Sequence, residues 1–328
     1  MPTVAVVALF AGSAALVWAA GAPLARSTDA LSLGWGLGEA LGGLLLLAVA
    51  TNLPEVAIVL SAALHGDLSL AVGNILGGIA VQTAVLLAID RWGVRDGAPL
   101  STRAASPAVR TEAVLVIAMI AAVVAGAFGA KLGRFVIFTL GDLLVPVIWI
   151  AGVILLGRTR PRGPPIDPAS FKIDRSAAPV FLLASLATLA GGVGLEATGS
   201  ALAVRLGWEG ALFGATVLAA VTALPEISTG IAAARAGEYE LAASDILGGN
   251  AFLPVLLPLA TLVAGVSAFA SIGPDMLVLC ATCAGMTAVF AAALALRPRS
   301  RVFGLGPEAG PMLAIYALGL ALLAAIAG

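Results

Sequence analysis

The sequence predicts an all-α polytopic membrane protein in which ten transmembrane helices form two inverted five-helix repeats. Three observations lead there. Of the 328 residues, 61% are hydrophobic and only 11% charged, with a mean hydropathy of +1.09, whereas a soluble domain carries about 25% charged residues. The apolar residues are gathered into runs that reach the roughly 20 residues needed to cross a bilayer. Finally, residues 36–82 align without gaps on residues 207–253, at a constant offset of 171, with 20 of 47 positions identical.

The first repeat takes residues 1–157. Residues 3–24 are expected to span the membrane and to be retained, since no basic segment precedes the apolar run as it would in a cleaved leader. The second span, 32–64, is long and is interrupted by Leu53-Pro54-Glu55; spans at 68–90, 111–129 and 132–157 complete the half. Residues 158–176, RTRPRGPPIDPASFKIDRS, are rich in proline and charge and read as an exposed linker. The second repeat, 177–328, has spans at 177–195, 207–234, 240–267, 274–296 and 309–327, and its second member carries Leu224-Pro225-Glu226.

Basic residues orient this layout. With the N-terminus outside, inner loops hold 14 of the 17 Lys and Arg, and only Lys131, Arg134 and Arg205 fall outside. That bias predicts both termini outside and the linker in the cytoplasm. Five spans per half, an odd number, then force the two halves into opposite orientations. Arg outnumbers Lys 15 to 2 amid abundant Ala and Gly, which suggests a prokaryotic plasma membrane. A net charge of −1 without a basic run argues against nucleic acid as a partner. One histidine, His65, and two cysteines, Cys280 and Cys283, leave no disulfide framework or zinc cluster to build; the cysteines read as packing residues and His65 as a loop residue. No resident cofactor is expected, and the partners are the lipid bilayer and cations.

The chemistry is expected where the apolar runs are broken. A carboxylate in mid-membrane costs roughly 2.5–3.5 kcal/mol, and proline removes a helix hydrogen bond, yet both repeats keep the pair. In transporters built from inverted repeats, matching interruptions mark the ion site at the repeat interface. Pro54 and Pro225 cannot donate to the carbonyls of Ala50 and Val221. Glu55 and Glu226 offer up to four oxygens, with Thr51 and Thr222 one helical turn earlier on the same face. Calcium wants six to eight such oxygens, and two carboxylates neutralise one divalent ion. Emptied, the pair would hold two like charges together, which protons or monovalent cations relieve; that is a physical basis for exchange. Asn74 and Asp245, another repeat pair, serve either helix packing or a coupling ion. Gly77, Gly78, Gly248 and Gly249 read as close-packing residues, Glu39 and Glu209 as interfacial. Asp142, near the start of span five, has no counterpart in the other half.

These blocks resemble the α-repeats of the cation/calcium antiporter superfamily, which includes the sodium/calcium exchangers. Typical members carry G-T-S-L-P-E followed by G-N-x-x-G-S-N-x-x-N or D in each repeat; this chain has ATNLPE with GNILGGIAVQ, and VTALPE with SDILGGNAFL. The resemblance implies calcium ligands at Thr51, Glu55, Thr222 and Glu226. At the family's sodium-site positions the chain departs: Asn52 and Ala223 replace the serine before Leu-Pro-Glu, Gly78 and Gly249 the later serine, and Gln82 and Leu253 the terminal Asn or Asp. Loss of these oxygens is expected to impair sodium coupling and to favour protons carried by Glu55, Glu226 and Asp245. Sodium stays open as counter-ion through Asn52 and Gln82. Rival readings are a cation sensor or scaffold on a degenerate exchanger fold, and an intramembrane protease. The second fails because Asp142 in TLGD lacks the glycine two residues earlier, where Leu140 stands. The chain is not expected to be an enzyme.

Overall fold

The computed structural model describes residues 1–34, 47–95, 97–132, 137–159 and 177–327, and among them every regular element is helical. The first half runs α1 (Thr3–Gly34), α2 (Leu47–Thr51), α3 (Leu53–Leu64), α4 (Leu68–Trp92), the short α5 (Leu100–Arg103), α6 (Pro107–Leu132) and α7 (Leu140–Thr159). The second runs α8 (Ala177–Leu206), α9 (Gly210–Phe213), a π-helical turn at Gly214–Leu218, α10 (Ala219–Thr222) and α11 (Leu224–Arg235). It continues through α12 (Tyr239–Phe252), a 3₁₀ turn at Leu253–Val255, α13 (Leu256–Ala264), a second 3₁₀ turn at Ala268–Ser271, α14 (Pro274–Leu296) and α15 (Ala309–Ala327).

Among the described residues, eight helical stretches are long and apolar enough to cross a membrane, and nine if α9 to α11, bent by 41°, count as one span. The second predicted span is described only from residue 47, where α2 and α3 meet at Asn52 just as α10 and α11 meet at Ala223. Residues 35–46, including Glu39, and linker residues 160–176 lie outside the described residues.

Several boundaries differ from the sequence expectation, each for a local reason. Helix α8 continues past residue 195 through Glu196 to Leu206, because that glutamate is buried against another helix and does not mark an end. Gly207, at φ +68°, then turns the chain. Helix α7 begins at Leu140 and not near 132, since Asp142 accepts the Thr139 backbone N–H at 2.7 Å and its hydroxyl at 2.9 Å. Asp142 therefore closes a helix start, as in a capping box. The eighth span breaks at Pro254, which cannot continue the hydrogen-bond ladder.

Contacts between helix ends fix how the helices alternate. Arg205 at the end of α8 donates to the Met1 carbonyl and the Thr3 hydroxyl, and Gly210 lies against Asp67, so these ends share one face of the molecule. On the opposite face Arg235 donates to the Trp92 carbonyl, Thr102 to Pro298 and Arg297 to Ala105. The best-anchored point there is Asp90 at the end of α4. It is 3.2 Å from Arg301 and accepts from the backbone N–H of Leu100 at 2.8 Å and Gly306 at 2.7 Å. Arg301 in turn donates to the carbonyls of Asp90, Val94 and Gly304.

The repeats interleave. Helix α4 packs on α9, the π turn and α10, while its counterpart α12 packs on α2; α4 also meets α11, and α13 meets α3. A Cβ on Gly77 would come within 2.3 Å of Ala215 Cα, so here backbone lies on backbone, as small residues allow between membrane helices. The most hydrophobic stretch of α4 is 83% buried, that of α1 only 17%. Helices α1 and α8 lie along one another outside this core. They touch it through two glycines: a Cβ on Gly21 would sit 2.8 Å from the Pro225 ring, and one on Gly192 2.8 Å from the Pro54 carbonyl. Those glycines are themselves 171 positions apart, so the duplication extends to the first span of each half.

Candidate functional site

Each Leu-Pro-Glu opens a helix. Proline tolerates the second position of a helix, where its missing N–H has no partner to lose, and the new ladder starts with Val56 N–H donating to Asn52 at 3.0 Å and Ile227 N–H to Ala223 at 3.2 Å. The glutamate follows one residue later, in the first turn, where the positive end of the helix dipole faces it. The two elbows are brought together at the centre of the interleaved bundle.

Glu55 is 0% exposed and Glu226 3%. Among the described residues, none of their four carboxylate oxygens has a hydrogen-bond partner. Buried polar atoms are otherwise almost always paired, so two unsatisfied carboxyls at the crossing of two broken helices single these residues out as the candidate site. Thr222 of the second elbow lies beside the Glu55 carboxyl of the first; its hydroxyl donates to the Ala219 carbonyl at 3.2 Å, which leaves its lone pairs free to face the site. Glu226 feels the charges of both Glu55 and Asp245. These acids are near enough to interact, yet among the described residues no three His, Cys, Asp or Glu gather into one coordination shell.

A cleft reaches Glu226. Val17, Gly21, Leu24 and Ala25 of α1 form one wall, with Thr51, Pro54, Thr188, Pro225 and Thr229 around the rest. Asp245 lies 3.4 Å from the Thr229 hydroxyl, so it stands on the cleft side of Glu226. Because α11 runs from the elbow to Arg235, the cleft lies in the arginine-rich half of the molecule. The two halves differ at one of these positions: Thr229 is half-buried, whereas its repeat mate Ile58 is 0% exposed.

The remaining predicted positions separate into two groups. Asn52 and Gln82 come together over Gly249, where an added Cβ would meet the Asn52 side-chain nitrogen at 3.0 Å and the Gln82 oxygen at 3.5 Å. Gly78, the partner of Gly249, faces Leu253 instead, at 3.3 Å. One flank of the site is thus polar and its mate apolar. Asn74 is fully buried, with neither side-chain polar atom hydrogen-bonded among the described residues. Residues 73 and 74 lie against Gly214 at the π turn.

Sequence reasoning missed two members of the polar flank. Asn250 donates to the Thr83 hydroxyl at 3.0 Å, and both are 0% exposed. Their repeat mates are Ile79 and Pro254, so polar-for-apolar mismatches inside the repeat block were the signal that could have found them. Glu196 was missed as well, since the predicted sixth span stopped one residue short of it.

The sequence profile of the sodium/calcium exchanger protein family matches residues 5–157 and 172–325. The chain belongs to this family. Among curated relatives, the putative antiporter CaxA of Alkalimonas amylolytica is 28% identical over 298 residues, 85% of this chain and 87% of that protein. The inner membrane protein YrbG of Escherichia coli K12 is 27% identical over 237 residues, 68% of this chain and 69% of that one. Among solved structures, the H⁺/Ca²⁺ exchanger CAX superposes with a TM-score of 0.70 at 13% identity, covering 98% of this chain and 86% of that one. The fold is therefore that of the exchangers, and this family member is an integral membrane protein of cation/Ca²⁺ antiporter type.

Proposed function

We propose that the protein is a secondary active antiporter that exchanges Ca²⁺ for protons by alternating access, with Thr51, Glu55, Thr222 and Glu226 as the ligands of the transported ion. The observation that carries this reading is the pair of buried elbow glutamates whose four oxygens have no protein hydrogen-bond partner among the described residues. An ion with two charges satisfies both carboxylates, and two protons satisfy them equally well, so the same atoms serve cargo and counter-ion in turn. Asp245, on the cleft side of Glu226, stands in the path of either.

A second reading has sodium as counter-ion, and the polar flank of Asn52 and Gln82 favours it. In that case coupling runs through one flank only, because Ala223 and Leu253 leave the other without oxygens. The arginine-rich face is assigned to the cytoplasm of a prokaryotic cell. The cleft then lies on the cytoplasmic side of the site, and the two halves 1–157 and 177–328 act as the inverted repeats of the transport cycle. Calcium flux into proteoliposomes, driven separately by proton and sodium gradients with Glu55→Gln as control, tests all of this. Proton-driven flux abolished in the variant is expected. Flux driven by sodium alone would replace the proton reading, and calcium binding without flux under either gradient would overturn transport in favour of a sensor.

A further inference from the structure

Helix α8 also meets α3 through a buried carboxylate that has no counterpart in the other half. Glu196 of α8 is 2% exposed and accepts a hydrogen bond from Ser61 of α3 at 2.7 Å. The same oxygen, Oε2, lies 3.3 Å from Nδ1 of His65, whose side chain is 65% exposed at the Met1 face. The repeat mates of Glu196 and His65 are Ala25 and Ala236. Ala25 lines the cleft beside Glu226. One repeat thus has a cleft where the other has a buried carboxylate bonded across the same helix boundary.

We propose that Ser61, Glu196 and His65 form a proton-sensitive latch that holds α8 against α3 and keeps the Met1 face closed. Histidine is the side chain whose charge changes between pH 5 and 8. Imidazolium pairs with the Glu196 carboxylate and tightens the contact; neutral imidazole leaves the Ser61 bond and weakens it. The latch is therefore strongest at low pH and loosens as pH rises. Among the described residues, two charged groups at this face are bonded elsewhere, while Glu209, before Gly210, is exposed. Asp67, on the same turn, caps α4 through the Leu70 N–H, and Arg205 of α8 is bonded to Met1 and Thr3. Glu55, the single acid of α3, lies ten residues away, about 15 Å along the helix. Helices α2 and α13, which also adjoin α3, carry no charged side chain.

The test is a distance. Spin labels on Val204→Cys in α8 and Phe128→Cys in α6 occupy exposed sites near that face, while Cys280 and Cys283 are buried and escape labelling. In nanodiscs, the separated population of the otherwise unaltered protein should rise roughly two- to fivefold between pH 5.5 and 8, as for a single partly exposed ion pair. His65→Ala should show the high-pH distribution throughout. Glu196→Gln, which retains an acceptor for Ser61, should also lose the pH response. Identical distributions at both pH values in the unaltered protein and in His65→Ala would overturn the latch. No ion gradient is involved, so failure of transport would overturn the exchange reading and leave this one standing.

Discussion

Replacing Glu55 by glutamine isolates the charge at the site from its shape. Glu55 is wholly buried and Glu226 nearly so, which leaves little water to screen a bound cation from either carboxylate. Removing one partner of a buried charge pair costs roughly 3–5 kcal/mol. At about 1.4 kcal/mol per tenfold, calcium affinity should fall by roughly two to three and a half orders of magnitude. The ion-free protein should behave in the opposite way. None of the carboxyl oxygens is hydrogen-bonded among the described residues, so glutamine forfeits no bond there and removes one of two mutually repelling charges. Calcium titration by calorimetry, paired with melting of the ion-free protein, reads both effects. Weakened binding with an unchanged or raised melting temperature is expected, the usual mark of a site held for function at the expense of stability. Affinity within threefold of the unaltered protein, or a melting temperature lowered by several degrees, would make Glu55 a structural residue and refute the reasoning.

The other expectations concern the frame around that pair. Asp90→Ala strands the Arg301 charge and two backbone N–H groups; a stability loss of roughly 3–5 kcal/mol should appear as early melting with calcium affinity little altered. Gly77→Leu drives a side chain into the Ala215 backbone, so the yield of folded protein should collapse, whereas Gly12→Leu, with nothing within 4 Å, should be tolerated as measured by size-exclusion chromatography. Asn52→Ala with Gln82→Leu makes the polar flank match its apolar mate. The Hill coefficient for the counter-ion should drop by about one while calcium binding without counter-ion shifts less than threefold; an unchanged coefficient would exclude that flank from coupling.

The sequence was most legible where the duplication repeats chemistry. A carboxylate next to proline is costly enough in a membrane that finding it twice at one offset identifies both elbows, and the structure brings them together. What stayed hidden was which helix faces which. Apolar periodicity says that residues share a helix but not their neighbour across an interface, so nothing in the sequence placed Asn52 over Gly249 or Thr222 beside Glu55. The same gap cut α8 short, because a glutamate bonded across a helix boundary looks in sequence like one that faces water. Asp142 was placed near the start of span five, but not as its cap. It has no counterpart in the other half, and its bonds to Thr139 are those of a helix start.

The differences between the repeats carry more information than their likeness. An inverted pair with two identical halves would be equally stable open to either face. A cation held by both elbows touches each repeat alike, and a ligand that binds two states equally shifts nothing between them. Any preference for one face must therefore come from residues that the duplication did not preserve. Two sets stand out: Glu196 and His65 against Ala25 and Ala236 near the entrances, and Asn52, Gln82, Thr83 and Asn250 against Ala223, Leu253, Pro254 and Ile79 around the site. The conformation seen here agrees with the first set. Its cleft lies on the side of Ala25, and the Ser61–Glu196 bond joins the helices on the other side.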